Sequence, residues 1–197
     1  MPTKIRVSKE MILDAAFEIV RKDGMEKLSN RELANKLECS IRPIYYQFKN
    51  VEEMQKELYI KIEHYFYDFI FDNMIEGIPQ YKQVGINYIK FAKQEKKLFQ
   101  TLFMSDTGLT PDAFVSKDGD DYEEIAKLIK ISTNLKDNDI KDFHTKMWIC
   151  CHGIATLVAN DTIKLTDNQI QELLSSQFQA LMLLEKNPNN KWILPKE

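Results

Sequence analysis

The sequence predicts an all-α chain, and three observations carry that expectation. Apolar residues recur at the i, i+3, i+4, i+7 spacing of a buried helical face in one segment after another. Ser, Asn or Thr residues stand at the start of several of these segments, where a side-chain oxygen accepts from an orphan backbone N–H. No stretch alternates apolar with polar residues as a half-buried strand does, and β-branched runs are absent. With 44% apolar and 29% charged residues and only 6 Gly and 6 Pro among 197, the chain can bury enough surface to offset its ordering entropy. It reads as globular, with one or two domains.

Ser8 caps a first helix whose buried stripe is Ile12, Ala15, Ala16, Ile19 and Val20. Asp23-Gly24 closes it, since glycine takes a left-handed conformation without steric cost, and Met25 can fold back on the last turn. Ser29-Asn30-Arg31-Glu32 is a capping box opening a second helix, with Leu33, Ala34 and Leu37 on its buried side. Only Glu38-Cys39 then precedes Ser40, read as the cap of a third helix that turns Ile41, Ile44, Tyr45 and Phe48 inward. Pro43 falls at its third position, where the missing N–H has no intrahelical partner to lose. Asn50 and Glu53 start a longer helix that ends between Met74 and Pro79 and keeps Val51, Met54, Leu58, Ile62, Tyr65, Phe66 and Phe69 on one face. Helical stretches follow at 80–94 and 95–104, then a loop from Ser105 to Asp121 with one turn of helix after Pro111. Three more helices span 122–132, 137–160 and 167–185, the last capped by Thr166 and Gln169. From Asn187 the chain reads as a loose tail whose Trp192 and Ile193 can dock on the body.

Charge is uneven: residues 1–50 carry +3 and the rest −6, giving the overall −3. A basic start on an acidic body is the pattern of a phosphate-binding module attached to a part with another task, and it also fits ordinary scatter. Three cysteines, two of them the neighbours Cys150 and Cys151, do not make a disulfide framework. Glu10, Asp14 and Glu18 interrupt any signal-peptide core, and the longest apolar run, 147–159, is too short to span a bilayer. The expectation is a soluble, cytoplasmic protein with no membrane partner.

Three short helices with a tight turn between the second and third form a helix-turn-helix, in which the third helix enters the DNA major groove. Its free face then carries Arg42, Pro43, Tyr46 and Gln47. Arginine pairs bidentately with a guanine edge, glutamine reads adenine or reaches phosphate, and a tyrosine ring meets a thymine methyl. The starts of helices two and three, at Ser29 and Ser40, also turn backbone amides toward phosphates. Read from the residues alone, the same pattern fits three helices packed together with a solvated Arg, Tyr and Gln outside.

The run Ile12-Leu13-x-Ala15-Ala16, Gly24, Leu28-Ser29-x-Arg31-Glu32-Leu33-Ala34-x-x-Leu37, Cys39-Ser40-x-x-Pro43-Ile44-Tyr45-Tyr46-Gln47-Phe48-Lys49-Asn50 and Glu52-Glu53-Met54 resembles the DNA-binding domain of the TetR family of transcriptional regulators. The resemblance covers about a quarter of the chain. It implies a homodimer, with a helix-turn-helix DNA-binding domain at 1–50 and a larger helical domain at 51–197 for ligand binding and dimerisation. It further implies Ser29, Tyr45, Tyr46 and Gln47 as phosphate or groove contacts and Ile41, Arg42 and Pro43 as base readers, Arg42 foremost. Two positions depart from the family pattern: Glu38 stands where a turn glycine is usual, and Val51 where a phosphate-contacting lysine is usual. The second departure removes one counterion-releasing contact, for which Lys49 or Lys56 can substitute.

The helix from Asp137 is apolar almost all round between Met147 and Ala159, and the last helix carries Ile170, Leu173, Leu174, Phe178, Leu181, Met182, Leu183 and Leu184. Helices greasy on more than one side need covering twice, and a second copy forming a four-helix bundle would do so; a larger monomer core is the alternative. Trp148-x-x-x-His152-Gly153 resembles a Trp/His-Gly pattern of one C-terminal subclass of the same family and places this helix beside a ligand cavity. Phe66, Tyr88, Phe91, Phe103, His144, Trp148 and Cys151 are candidate wall residues for a largely apolar small-molecule effector, with plain core the more ordinary reading of each. His144, Cys151 and His152 lack any zinc spacing, so no metal or other cofactor is expected; metal or oxidant sensing by these residues or Cys150 stays open. With no phosphate loop, nucleophile elbow or paired acids, an enzyme is not expected. The expectation is a repressor that binds a palindromic double-stranded operator and is released when a small molecule occupies the C-terminal domain, with the helix from Val51 to Met74 as lever. The alternative is a DNA-bound adaptor whose C-terminal domain takes a protein partner.

Overall fold

The computed structural model describes residues 7–72, 74–105 and 120–186. Among them are nine α-helices and one short 3₁₀ turn, with no strand. The helices are α1 Lys9–Asp23, α2 Asn30–Lys36, α3 Arg42–Gln47, α4 Val51–Phe71, α5 Gln80–Gln94, α6 Lys96–Phe103, α7 Asp120–Thr133, α8 Asp137–Ala159 and α9 Asp167–Lys186. Most of the loop expected at 105–121, with its helical turn after Pro111, and the tail from Asn187 lie outside the described residues. The chain divides into two compact units: residues 7–72 and 94–105 in one, 74–93 and 120–186 in the other.

In the first unit the capping chemistry sets the helix starts. Ser8 Oγ accepts from the Met11 N–H at 3.2 Å, Ser29 Oγ from Glu32 at 3.2 Å and Asn50 Oδ1 from Glu53 at 2.8 Å. Gly24, at φ 91°, ends α1. The 3₁₀ turn Met25–Lys27 that follows has no apolar period to announce it. Helix α1 buries Ile12, Ala15, Ala16, Phe17, Ile19 and Val20 and packs on α2, α3, α4 and α6. The unit therefore reaches past residue 50, the boundary drawn from the sequence, because α4 and α6 complete the walls around α1. Helix α4 buries Met54, Leu58, Tyr59, Ile62, Phe66 and Ile70, while Val51, expected inward, is exposed at the helix start. It stops at Phe71, short of the end expected at 74–79.

A polar tie links α1 to the start of α6. Arg21 donates to the buried Glu95 carboxylate through Nε at 2.8 Å and through its terminal amine at 2.5 Å, and Tyr65 Oη donates to the same carboxylate at 3.0 Å. The hydrogen bond and charge of Glu95 push the Arg21 guanidinium further up from its already high value. A buried carboxylate costs several kcal/mol when stripped of partners, so this one is held by two.

In the second unit α8 packs on α7 and α9. A reciprocal capping box opens α9: Thr166 Oγ1 accepts from the Gln169 N–H at 3.3 Å and Gln169 Oε1 accepts from the Thr166 N–H at 2.9 Å. Helix α5 approaches closely at Gly85, where a β-carbon would lie 3.3 Å from a Leu174 methyl. No helix among the described residues is long and apolar enough to cross a membrane.

Candidate nucleic-acid interface and ligand cavity

The turn before α3 ends α2 with paired backbone bonds. Glu38 N–H donates to Asn35 C=O at 3.2 Å and Cys39 N–H to Ala34 C=O at 3.0 Å, with Glu38 left-handed at φ 50°. That is the conformation for which glycine is the low-cost residue, and Glu38 adopts it nonetheless.

Helix α3 begins at Arg42, and Ser40 does not cap it. Ile41 holds the N-cap with φ −66° and ψ −23° and no side-chain cap bond, so Pro43 falls in the first two positions, one earlier than expected. The inward set is corrected with it. Ile44 and Phe48, four apart, are buried, but Ile41 is 41% exposed and Tyr45 65%. A helix of six residues makes less than two turns, which leaves room for one anchoring pair and no wider stripe. The outward side thus presents Ile41, Arg42, Tyr45 and Tyr46, with Tyr46 at 84% exposure.

Arg42 has no ion-pair partner among the described residues, so its guanidinium fork is available for a bidentate acceptor. Gln47, expected to face outward, is half-buried, and its amide donates to the Val7 C=O at 3.1 Å, which ties the chain ahead of α1 to α3. Pro43 is half-buried, while Ser29 and Ser40 are exposed. Lys49 is exposed as well, and its backbone N–H donates to the Glu53 carboxylate at 2.7 Å, completing the cap of α4. Geometrically this is a short helix with an apolar underside and an upper side of arginine, two phenols and an aliphatic residue.

A cavity of about 590 Å³ lies within the second unit, lined from α5, α7, α8 and α9. Of the candidate wall residues, Tyr88, His144, Trp148 and Cys151 line it. Phe66 and Phe103 do not: they pack edge-on at 5.3 Å in the first unit. Phe91 is fully buried core and is not part of the wall. Met147 on α8, Tyr81 on α5 and Phe178 on α9 complete the aromatic and sulfur-bearing lining, and the spacing on α8 gave no way to find the two on other helices.

Two tyrosine–histidine pairs stiffen this wall. Tyr81 Oη lies 3.2 Å from His144 Nδ1, and Tyr88 Oη 2.9 Å from His152 Nδ1. Burial pushes both phenols well up, so each keeps its proton. His152 stacks on Trp148 with ring centres 4.9 Å apart and planes at 14°, and burial pushes its imidazole below the ordinary value. The buried Trp148 Nε1 has no acceptor in hydrogen-bonding geometry, though the indole sits near enough to Tyr88 to temper that phenol's upward push. Cys151 Sγ donates to the Gly85 C=O at 3.4 Å, and burial drives its thiol far up, which leaves it protonated and unreactive. Among the described residues no group of three His, Cys, Asp or Glu side chains could hold a metal.

The all-helical arrangement of the described residues, with α2 and α3 joined by a tight turn, has the fold of solved structures described as TetR-family regulators. A TetR-family transcriptional regulator from Haemophilus influenzae is similar over 87% of this chain and 94% of its own, with a TM-score of 0.62 at 16% identity. A TetR-like transcriptional regulator from Rhodococcus sp. RHA1 is similar over 93% and 98%, with a TM-score of 0.60 at 18% identity. The dihydroxyacetone kinase operon activator DhaS is similar over 91% and 96%, with a TM-score of 0.52 at 14% identity. No family model matches the chain, and no curated protein matches its sequence.

Proposed function

We propose that the protein is a homodimeric, DNA-binding transcriptional regulator that acts as a repressor and leaves its operator when a small molecule fills the second-unit cavity. The observation that carries this reading is the outward side of α3, where Arg42, Tyr45 and Tyr46 stand exposed on a helix anchored by Ile44 and Phe48. Surface-exposed phenols and an unpaired arginine are costly ornaments for a packing helix and useful ones for a groove. Arg42 reads a guanine edge, the tyrosines and Ser29 position the helix on phosphate and sugar, and Lys49 supplies a counterion-releasing contact.

The dimer reading rests on the outer sides of α8 and α9. Ile149 and Leu157 on α8, and Leu173, Leu183 and Leu184 on α9, are exposed. Between the first two, Gly153 faces open space, so a facing helix can approach closely. Paired across a two-fold axis, these helices form a four-helix bundle and present two α3 helices to half-sites about 34 Å or somewhat more apart. The cavity, in the size range of small-molecule sites, favours an effector over a protein-docking adaptor. Release requires an effector that favours the DNA-incompetent state by about 1–3 kcal/mol, weakening operator binding roughly 5- to 150-fold.

The test is selection of duplexes from a random pool, followed by affinity measurement for the enriched sequence. A palindromic site lost on Arg42→Ala is the expected result, and no enrichment at low salt would sink the reading. Gly153→Arg, whose β-carbon has open space within 4 Å in the single chain, should convert dimer to monomer in analytical ultracentrifugation.

A further inference from the structure

We infer that the cavity selects its ligand by charge: an apolar body carrying an anionic, acceptor-rich head such as a carboxylate, with cationic amphiphiles rejected. This rests on the reading of the cavity as an effector site and names the chemistry that site takes. Among the described residues the lining contains no Asp or Glu. Its one lysine or arginine is Lys82, half-buried in the first turn of α5, and no carboxylate among the described residues pairs with it. Among the described residues the wall therefore offers a positive charge and none of the negative charge that a cation would need.

The aromatic lining of Tyr81, Tyr88, Trp148 and Phe178 cuts the other way, because ring faces attract cations. That attraction decides the matter only in a cage without a competing charge. Here a lysine already belongs to the wall, and a second positive charge brought beside it is repelled. The rings then serve an apolar tail, and the phenols, already engaged by His144 and His152, stay with those partners.

The experiment titrates the full-length protein, by calorimetry below the self-association limit of each probe, with three amphiphiles of one tail: dodecanoate, dodecanol and dodecyltrimethylammonium. Dodecanoate should bind at least about tenfold more tightly than dodecyltrimethylammonium. Lys82→Met should remove most of that preference while changing dodecanol affinity by less than about twofold. Trimethylammonium binding as tight as dodecanoate, or a preference that survives Lys82→Met, overturns the charge inference and leaves the effector site standing. Failure of all three probes to bind removes the effector site itself, and the inference with it. Operator affinity, measured separately without probe, tells either outcome from a protein that has lost its DNA-binding half.

Discussion

The underside of α3 and the wall of the cavity solve opposite problems. Beneath α3 the first unit is filled: Ile44 and Phe48 belong to a core that includes Leu33, Leu58, Phe66 and Phe99, all buried, and the side chains proposed to meet DNA are turned out of it. The second unit holds a cavity, and the side chains proposed to meet an effector line it. A surface reader needs one short helix held rigidly, which a dozen neighbouring residues can encode. An interior wall needs side chains from four helices brought together by tertiary packing, which local sequence does not spell.

Substitution of a ring in each unit gives the largest expected contrast. Phe66→Ala, in the filled core, should cost about 3–5 kcal/mol in urea denaturation. Phe178→Ala, half-buried beside the cavity, should cost about 1–2 kcal/mol, because its site already borders empty space. Equal losses would mean that the cavity collapses in solution. Next, Arg42→Ala should weaken operator binding by about 1–3 kcal/mol, roughly 5- to 150-fold, with unchanged thermal stability. A loss that falls equally on random duplexes would make Arg42 a phosphate contact and no reader.

Smaller effects refine the picture. Glu38→Gly should raise stability by about 0.5–1 kcal/mol, since left-handed strain outweighs the glycine's extra unfolded entropy. A destabilised variant would show that the Glu38 side chain makes contacts worth more than its strain. The smallest effect concerns pH. Burial lowers the His152 imidazole below 6.5, so the unfolded chain takes up its proton first as pH falls. Stability carried by neutral His152 is complete above about pH 6.5 and is lost as pH falls through the lower folded value. Melts recorded from about pH 8 down to about pH 5 should show a shallower decline for His152→Gln, and parallel curves would assign the decline to other groups.

Much of the fold was legible because helix starts are written locally. Ser8, Ser29, Asn50 and Thr166 each accept from the backbone N–H three residues on, as capping requires. Ser40 offered the same signal and was passed over, since the chain turns through Ile41 before the helix begins. That shift of entry re-aimed Tyr45 and Ile41 to solvent, a change that period counting over so few residues cannot register. For the cavity, Trp148, Cys151 and His144 share one face of α8 and could be found by spacing, with Tyr88 chosen on residue type alone. Phe66 and Phe103 were drawn in by being aromatic, although packing assigned them to the other unit. Glu95 went unnoticed because nothing near it in sequence announces that Arg21, far upstream, will grip it.

That grip has a consequence for dissection of the molecule. The chain passes from one unit to the other after residue 72, again after residue 93 and once more between residues 105 and 120. Neither half is a contiguous stretch that could be cut out with one scissor stroke. A fragment ending at residue 72 would carry Arg21 without its carboxylate and α1 without one of its walls, so the first half is whole only once the chain has left it and come back.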